Sequence, residues 1–139
     1  MTDEMRKKSI LLVDDDVAHR TMLKVNLLGE GYRVEEVSDG DEVLPFLDSH
    51  EVDLILLDMK MARIDGLTTL SVLLQAGHDV PVIMLTAFSS VESAVDAMKK
   101  GAFDYIAKPV DIEELKLLIG RALSFKSLSE ENKALKNRL

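Results

Sequence analysis

Apolar residues in this chain arrive in short unbroken runs, separated by longer stretches in which they recur every three or four positions. The runs fall at Ser9 to Val13, Arg33 to Val37, Leu54 to Leu57, Val82 to Leu85 and Asp104 to Ile106. Four or five apolar residues without polar alternation suit a strand buried on both faces, as parallel strands are. The second run is the most polar, which predicts a place nearer a sheet edge. Between the runs, helical periodicity predicts helices over Ala18 to Leu28, Asp41 to Asp48, Leu67 to Ala76, Ser90 to Lys100 and from Ile112 onward. Gly29, Gly77 and Gly101 read as helix stops, and Gly40 stands just before the second helix. Five strand-helix alternations predict an α/β fold, a doubly wound five-stranded parallel sheet with five helices, whose ligand crevice lies at the carboxyl ends of the strands.

Composition narrows the setting. At 139 residues and 47% hydrophobic the chain has the size and apolar content of one domain, and no internal repeat or Pro/Ser-rich linker divides it. With no cysteine it has neither disulfides nor thiolate metal sites, and it opens without a charged-then-apolar secretory pattern. A cytoplasmic location is expected. The net charge of −8 argues against direct nucleic-acid contact, which rests on clustered Lys and Arg. No apolar stretch reaches the roughly 18 residues needed to span a bilayer, so no membrane partner is expected.

The chemistry is concentrated just beyond the carboxyl end of each strand. Asp14, Asp15 and Asp16 come after the first, Asp58 after the third, Thr86 and Ala87 after the fourth, and Lys108 and Pro109 after the fifth. Alone, an acid ending a strand is ordinarily a turn or helix-cap residue. Several at one mouth are another matter, because each close carboxylate pair repels by about 4 kcal/mol at an effective dielectric near 20. Such a cluster calls for a cation. Mg²⁺ suits it, being a hard ion that keeps several waters and takes one or two carboxylates together with a phosphate. Lys108 adds a further positive charge. His19, His50 and His78 share no metal-ligand spacing and are expected at the surface.

These strings together resemble the receiver domain of two-component response regulators, a flavodoxin-like, CheY-like fold, over Lys8 to Leu123. The resemblance joins VDDD at Val13 to Asp16, LLDMKM at Leu56 to Met61 with IDG at Ile64 to Gly66, LTA at Leu85 to Ala87, and YIAKP at Tyr105 to Pro109. It implies that Asp58 accepts a phosphoryl group from a sensor histidine kinase. It also implies that Asp15 binds Mg²⁺ directly, Asp14 mainly through water, and Lys60 through its main-chain carbonyl, with Asp58 completing the metal set. Asp16 falls outside and is expected to cap the first helix. Lys108 would neutralise charge during transfer, Thr86 would then bond the phosphoryl group, and Tyr105 would move inward as the switch. The Lys108-Pro109 bond is expected to be cis. One departure stands in the loop after the acceptor, where Ala62 replaces the usual proline, and greater loop mobility is expected from it.

The last helix is expected to continue to the C-terminus. Counting by heptads puts Leu118, Phe125, Asn132 and Leu139 at one position, with Leu128 and Leu135 three residues after Phe125 and Asn132. That is an a/d seam with a polar Asn132 suited to fixing register, and it predicts a homodimer. The stretch Ser127 to Leu139 is similar to the linker joining receivers to ATPase domains in NtrC-like activators of sigma-54 polymerase. The expected organisation is therefore an N-terminal tail over residues 1–7, a receiver over 8–123 and a coiled-coil linker over 124–139, with AAA+ ATPase and DNA-binding domains elsewhere in a longer protein. The expected role is regulatory rather than enzymatic, a phosphorylation switch catalysing only its own phosphorylation and dephosphorylation. Two rivals remain: a stand-alone receiver acting by protein contacts, and an aspartyl-phosphate phosphohydrolase. The latter normally carries a second carboxylate two residues after the nucleophile, where this chain has Lys60.

Overall fold

A computed structural model of the chain describes residues 7–87 and 91–138, leaving out the side chains of residues 129 and 131–138. Five strands form one parallel sheet: β1 (Ser9–Val13), β2 (Arg33–Val37), β3 (Leu54–Asp58), β4 (Val82–Thr86) and β5 (Asp104–Ala107). Their order across the sheet is β2-β1-β3-β4-β5. The helices are α1 (Val17–Gly29), α2 (Val43–Ser49), α3 (Gly66–Gln75), α4 (Val91–Lys99) and α5 (Ile112–Arg138). The doubly wound five-strand, five-helix fold expected from the apolar runs is the one observed.

The continuous apolar runs have a direct cause. Alternate residues of each central strand point to opposite faces, and both faces are covered. Ile10, Leu12, Leu54, Leu56, Ile83 and Leu85 pack against Leu23 and Leu27 of α1 and against Leu115, Leu118, Ile119 and Ala122 of α5. Leu11, Val13, Ile55, Leu57 and Met84 pack on the other face against Val43, Leu70, Leu73 and Ala97, from α2, α3 and α4. Full burial of each such side chain contributes about 1.5–3 kcal/mol. β2 lies at the edge, and its Arg33 is exposed, which explains its polar sequence.

Local chemistry shifts several boundaries. α1 runs through Gly29, and the left-handed turn falls instead on Gly31, with φ of 89°. Gly77 and Gly101 do take positive φ, each closing its helix through an N–H to a carbonyl in the last turn, Leu74 and Met98 respectively. The second helix is split, with a short 3-10 turn over Gly40–Glu42 and α2 beginning only at Val43. Pro45 accounts for this: it lacks the N–H that a helix starting at Asp41 would need from it, whereas in the first turn of a helix starting at Val43 none is required. Asp16 caps α1 as expected, accepting from the His19 N–H at 3.2 Å. The expected start of α4 at Ser90 lies outside the described residues.

The seam on α5 begins later than the heptad count implies. Leu118 is only 6% exposed and belongs to the domain's own core, whereas Phe125 and Leu128 are each 60% exposed. Beyond Leu123 the helix leaves the sheet. Lys126 ties it back through an ion pair of 3.0 Å with Asp53, whose other oxygen accepts the Ser9 N–H at 2.8 Å. Phe125 lies against Phe103 with ring centroids 5.7 Å apart. Helical backbone continues through Asn132 and Leu135, whose side chains, like Leu139 as a whole, lie outside the described residues.

Asp39 stitches two loops at the carboxyl end of the sheet. Its carboxylate accepts the N–H groups of Gly40 at 2.8 Å, Arg63 at 2.9 Å and Ile64 at 2.8 Å. Burial works against its ionisation, but these donors outweigh that and hold its carboxyl below the ordinary range. A depressed carboxyl contributes stability that is complete above its unfolded pKa of about 3.9 and is lost as pH falls through the lower folded value. Asp39→Ala is therefore expected to cost about 2–3 kcal/mol at pH 7, and urea denaturation at stepped pH should show the gap between parent and variant shrinking below pH of about 4.

Candidate functional site

Parallel pairing fixes the site. Val13 of β1 lies opposite Leu57 of β3, so the next residues, Asp14 and Asp58, emerge side by side at the mouth of the sheet. Both are buried, Asp14 at 1% and Asp58 at 4% exposure. Lys108, immediately after β5, reaches across to them, its Nζ lying 2.6 Å from Asp58 Oδ2. The other Asp58 oxygen accepts the Lys60 N–H at 3.1 Å. Lys108 is itself held by its main-chain N–H, which donates to the Thr86 carbonyl at 2.7 Å, and the Lys108-Pro109 bond is cis as expected.

Asp14 is clamped as firmly. Its Oδ1 accepts the Asp16 N–H at 2.8 Å, and His19 Nδ1 lies 2.5 Å from its Oδ2. Its main-chain carbonyl accepts from Arg20 Nη1 at 2.5 Å. Arg20 is held in turn by Glu36 of β2, at 3.0 Å, a carboxylate that also receives Lys24 at 3.1 Å.

The surroundings separate the two acids. Burial raises the Asp58 carboxyl, the Asp14 charge adds to this, and Lys108 with the Lys60 N–H offsets it only in part. For Asp14 burial acts in the same direction, but His19, the Asp16 N–H and Lys108 outweigh it, so its carboxyl is held down. Asp58 is left short of positive charge, which one further cation would supply.

A cleft of about 360 Å³ opens over Asp58, lined also by Asp15, Lys60, Ala87, Ser93 and Lys108 among others, with Asp14 buried beside it. Asp15 is exposed at its rim. Among the described residues no three His, Cys, Asp or Glu side chains form a closed metal cage. A buried carboxylate and an exposed one lining an open cleft, with a second buried carboxylate next to them, fit Mg²⁺, which keeps several of its waters and does not need a cage.

Asp14, Asp15, Asp58, Lys60 and Lys108 therefore come together as the sequence implies. Thr86 ends β4 and is buried behind the wall, where Ala87 rather than Thr86 faces the cleft. Tyr105 is on edge strand β5 and exposed. Three contributors are not evident from sequence reasoning. Asp65, on the rim, caps α3 by accepting the Thr68 N–H at 2.8 Å, and its DG spacing before an apolar run could have signalled that cap. Ser93 carries no such signal. His19 is expected at the surface and instead has a side chain only 16% exposed, turned onto Asp14. His50 is exposed and stacks on Phe46 with centroids 4.0 Å apart. The loop containing Ala62 is restrained from the other side, since Asp39 binds the N–H groups of Arg63 and Ile64.

Residues 10–120 match the response regulator receiver domain, and the chain belongs to that family. Among curated proteins it is similar to the transcriptional regulatory protein ZraR of Klebsiella oxytoca, 43% identical over 121 residues that make up 87% of this chain and 27% of that protein. It is 40% identical over 120 residues to the DNA-binding transcriptional regulator NtrC of Salmonella typhimurium, covering 86% of this chain and 26% of NtrC. Among solved structures it superposes on NtrX from Brucella abortus with a TM-score of 0.88 at 32% identity, covering 94% of this chain and 30% of that one. The chain spans about a quarter of the length of the curated relatives it matches.

Gly66 is the steric hinge of the cleft floor. Its N–H donates to the Met59 carbonyl at 2.9 Å, and a Cβ there would sit 2.4 Å from the Asp58 carbonyl oxygen and 2.9 Å from Met59 Cα. Backbone atoms cannot step aside as a flexible side chain would. Gly66→Ala is expected to destabilise the fold by about 1–3 kcal/mol in chemical denaturation, with the amide resonances of Asp58 and Met59 shifting more than those of β1 or β2.

Proposed function

We propose that this segment is a phosphorylation-operated receiver in which Asp58 accepts a phosphoryl group from the phosphohistidine of a sensor kinase. The observation that carries the reading is the 2.6 Å contact of Lys108 Nζ with a buried Asp58 oxygen at the mouth of the sheet. One Asp58 oxygen forms the new P–O bond as the P–N bond to the kinase imidazole breaks, and the imidazole leaves with the electron pair. Asp15 would hold Mg²⁺ directly, Asp14 through water and Lys60 through its main-chain carbonyl, with Asp58 as the remaining ligand. The ion, when bound, supplies the counter-charge that lets an anionic phosphoryl group approach acidic side chains. Lys108 holds the acceptor oxygen in line and balances charge on the transferring group.

The added charge is the signal. Phosphorylation takes the Asp58 position from about −1 towards −2 and brings new acceptor oxygens. Thr86, at the end of the neighbouring strand, donates its hydroxyl to them, and Tyr105 moves from its exposed position into the space vacated. The outcome is a bias between two packings, set by how differently they accommodate the phosphoryl group. The effect passes into dimer contacts along the C-terminal heptad seam of Phe125, Leu128, Asn132, Leu135 and Leu139. The receiver spans residues 8–123 and the linker 124–139, following a tail over 1–7. Similarity to ZraR and NtrC supports a cytoplasmic transcriptional activator of the sigma-54 class, with AAA+ ATPase and DNA-binding domains in the longer protein. Among the described residues no helix is long and apolar enough to cross a membrane.

Incubation with Mg²⁺ and a small phosphodonor should add one phosphoryl group, read by intact mass. Asp58→Asn should abolish labelling, and Lys108→Ala should slow it by about 100-fold. Labelling of Asp58→Asn at the parent's rate would defeat the assignment. For the dimer, Leu128→Asp leaves the Lys126–Asp53 pair in place and is expected to lower dimer content in sedimentation. Association unchanged by it would move the contact off the α5 seam.

A further inference from the structure

We infer that His19 is a positioning residue for the cation site, one that fixes the Asp14 carboxylate in a single orientation through its Nδ1–H; this rests on the Mg²⁺-dependent reading above. Asp16 caps α1 by accepting the His19 main-chain N–H at 3.2 Å, while the Asp16 N–H donates to Asp14 Oδ1 at 2.8 Å. The ring of His19 then folds back so that Nδ1 meets Asp14 Oδ2 at 2.5 Å. One short segment therefore supplies a donor to each Asp14 oxygen and sets both carboxylate torsions. Val17, two residues earlier on the same helix turn, is 64% exposed, whereas the His19 side chain is 16% exposed. The two lie on opposite faces of the helix, and the His19 face is the one turned onto Asp14.

The arrangement mirrors that of the neighbouring acid. Asp58 has a main-chain N–H on one oxygen and Lys108 on the other; Asp14 has a main-chain N–H on one and His19 on the other. A carboxylate oxygen has room for about two donors, so the donors from His19 and Asp16 hold Asp14 without using its full accepting capacity. His19 itself is not a ligand in this arrangement, because its Nδ1 is engaged by Asp14 and Mg²⁺ takes oxygen donors. Removing it leaves a buried carboxylate held at one oxygen only, beside the Asp58 charge. Partners that orient a ligand in this way typically change metal affinity by about 10- to 100-fold.

The test uses the full chain. Mg²⁺ is titrated calorimetrically into the parent, His19→Leu, His19→Asn and His19→Gln, with urea denaturation in the absence of Mg²⁺ to measure folding separately. An asparagine amide nitrogen lies near the position of Nδ1, whereas a glutamine amide lies one bond further out. His19→Leu is expected to weaken Mg²⁺ binding by about 10- to 100-fold, His19→Asn to bind close to the parent, and His19→Gln to fall on the weak side. If His19→Leu is poorly folded, the contrast between Asn and Gln decides. Parent-like affinity in His19→Leu, or Asn and Gln weakened alike, would overturn the inference while leaving the functional reading standing. A parent that binds no Mg²⁺ would overturn both.

Discussion

Two carboxylates buried at the ends of adjacent parallel strands govern everything at the functional end of this molecule. Their proximity is imposed by the register of β1 on β3, and strands about 4.8 Å apart leave no way to separate them. The fold answers this repulsion by surrounding each acid with donors of its own: Lys108 and the Lys60 N–H for Asp58, His19 and the Asp16 N–H for Asp14. The answer is incomplete at Asp58, whose carboxyl remains raised by burial. An incompletely neutralised acid facing an open cleft is a poised site, receptive to a cation and, with it, to a further anion.

The rest of the sheet serves to hold that poise. Burial of the central strands on both faces keeps the strand ends from drifting, and the loops beyond them are tied down individually. Asp39 fastens the loop after β3 to the turn before α2, Gly66 allows α3 to start against the Asp58 carbonyl, and Arg20 with Glu36 braces the Asp14 main chain. None of these residues needs to meet a ligand. Each removes a freedom that would otherwise have to be lost when one arrives.

How much of this the sequence disclosed depends on the range of the interaction. The three central strands, buried on two faces, leave unbroken apolar runs, the edge strands β2 and β5 leave more polar ones, and all five are legible to within a residue, so the acids and lysine at their ends can be placed at one mouth from topology alone. Turn chemistry reads less well. Gly29 looks like the stop for α1 because it comes after the last apolar residues, yet the left-handed turn falls on Gly31, and Pro45 delays α2 in a way that periodicity does not register. Least legible are His19 and Asp39. Nothing about either residue type or spacing distinguishes it from an ordinary surface or turn residue, since Asp39 finds its partners in the loop after β3 and the His19 ring meets Asp14 only through the turn that joins β1 to α1 in the folded chain. Leu118 shows the opposite failure, a heptad position claimed by the domain's own core.

The last helix holds two allegiances within one continuous helix. Its first half is a wall of the sheet's core, through Leu115, Leu118, Ile119 and Ala122, and its second half projects past the Lys126–Asp53 tether as uninterrupted helix to Arg138. At 1.5 Å per residue the stretch after Ala122 is about 24 Å long, and it acts as a lever whose fulcrum is the base of the sheet. A tilt of about 10° at that fulcrum sweeps the far end through about 4 Å, most of the pitch of one helical turn. Angular changes too small to disturb the packing of the core are in this way magnified into a different alignment of whatever the far end meets.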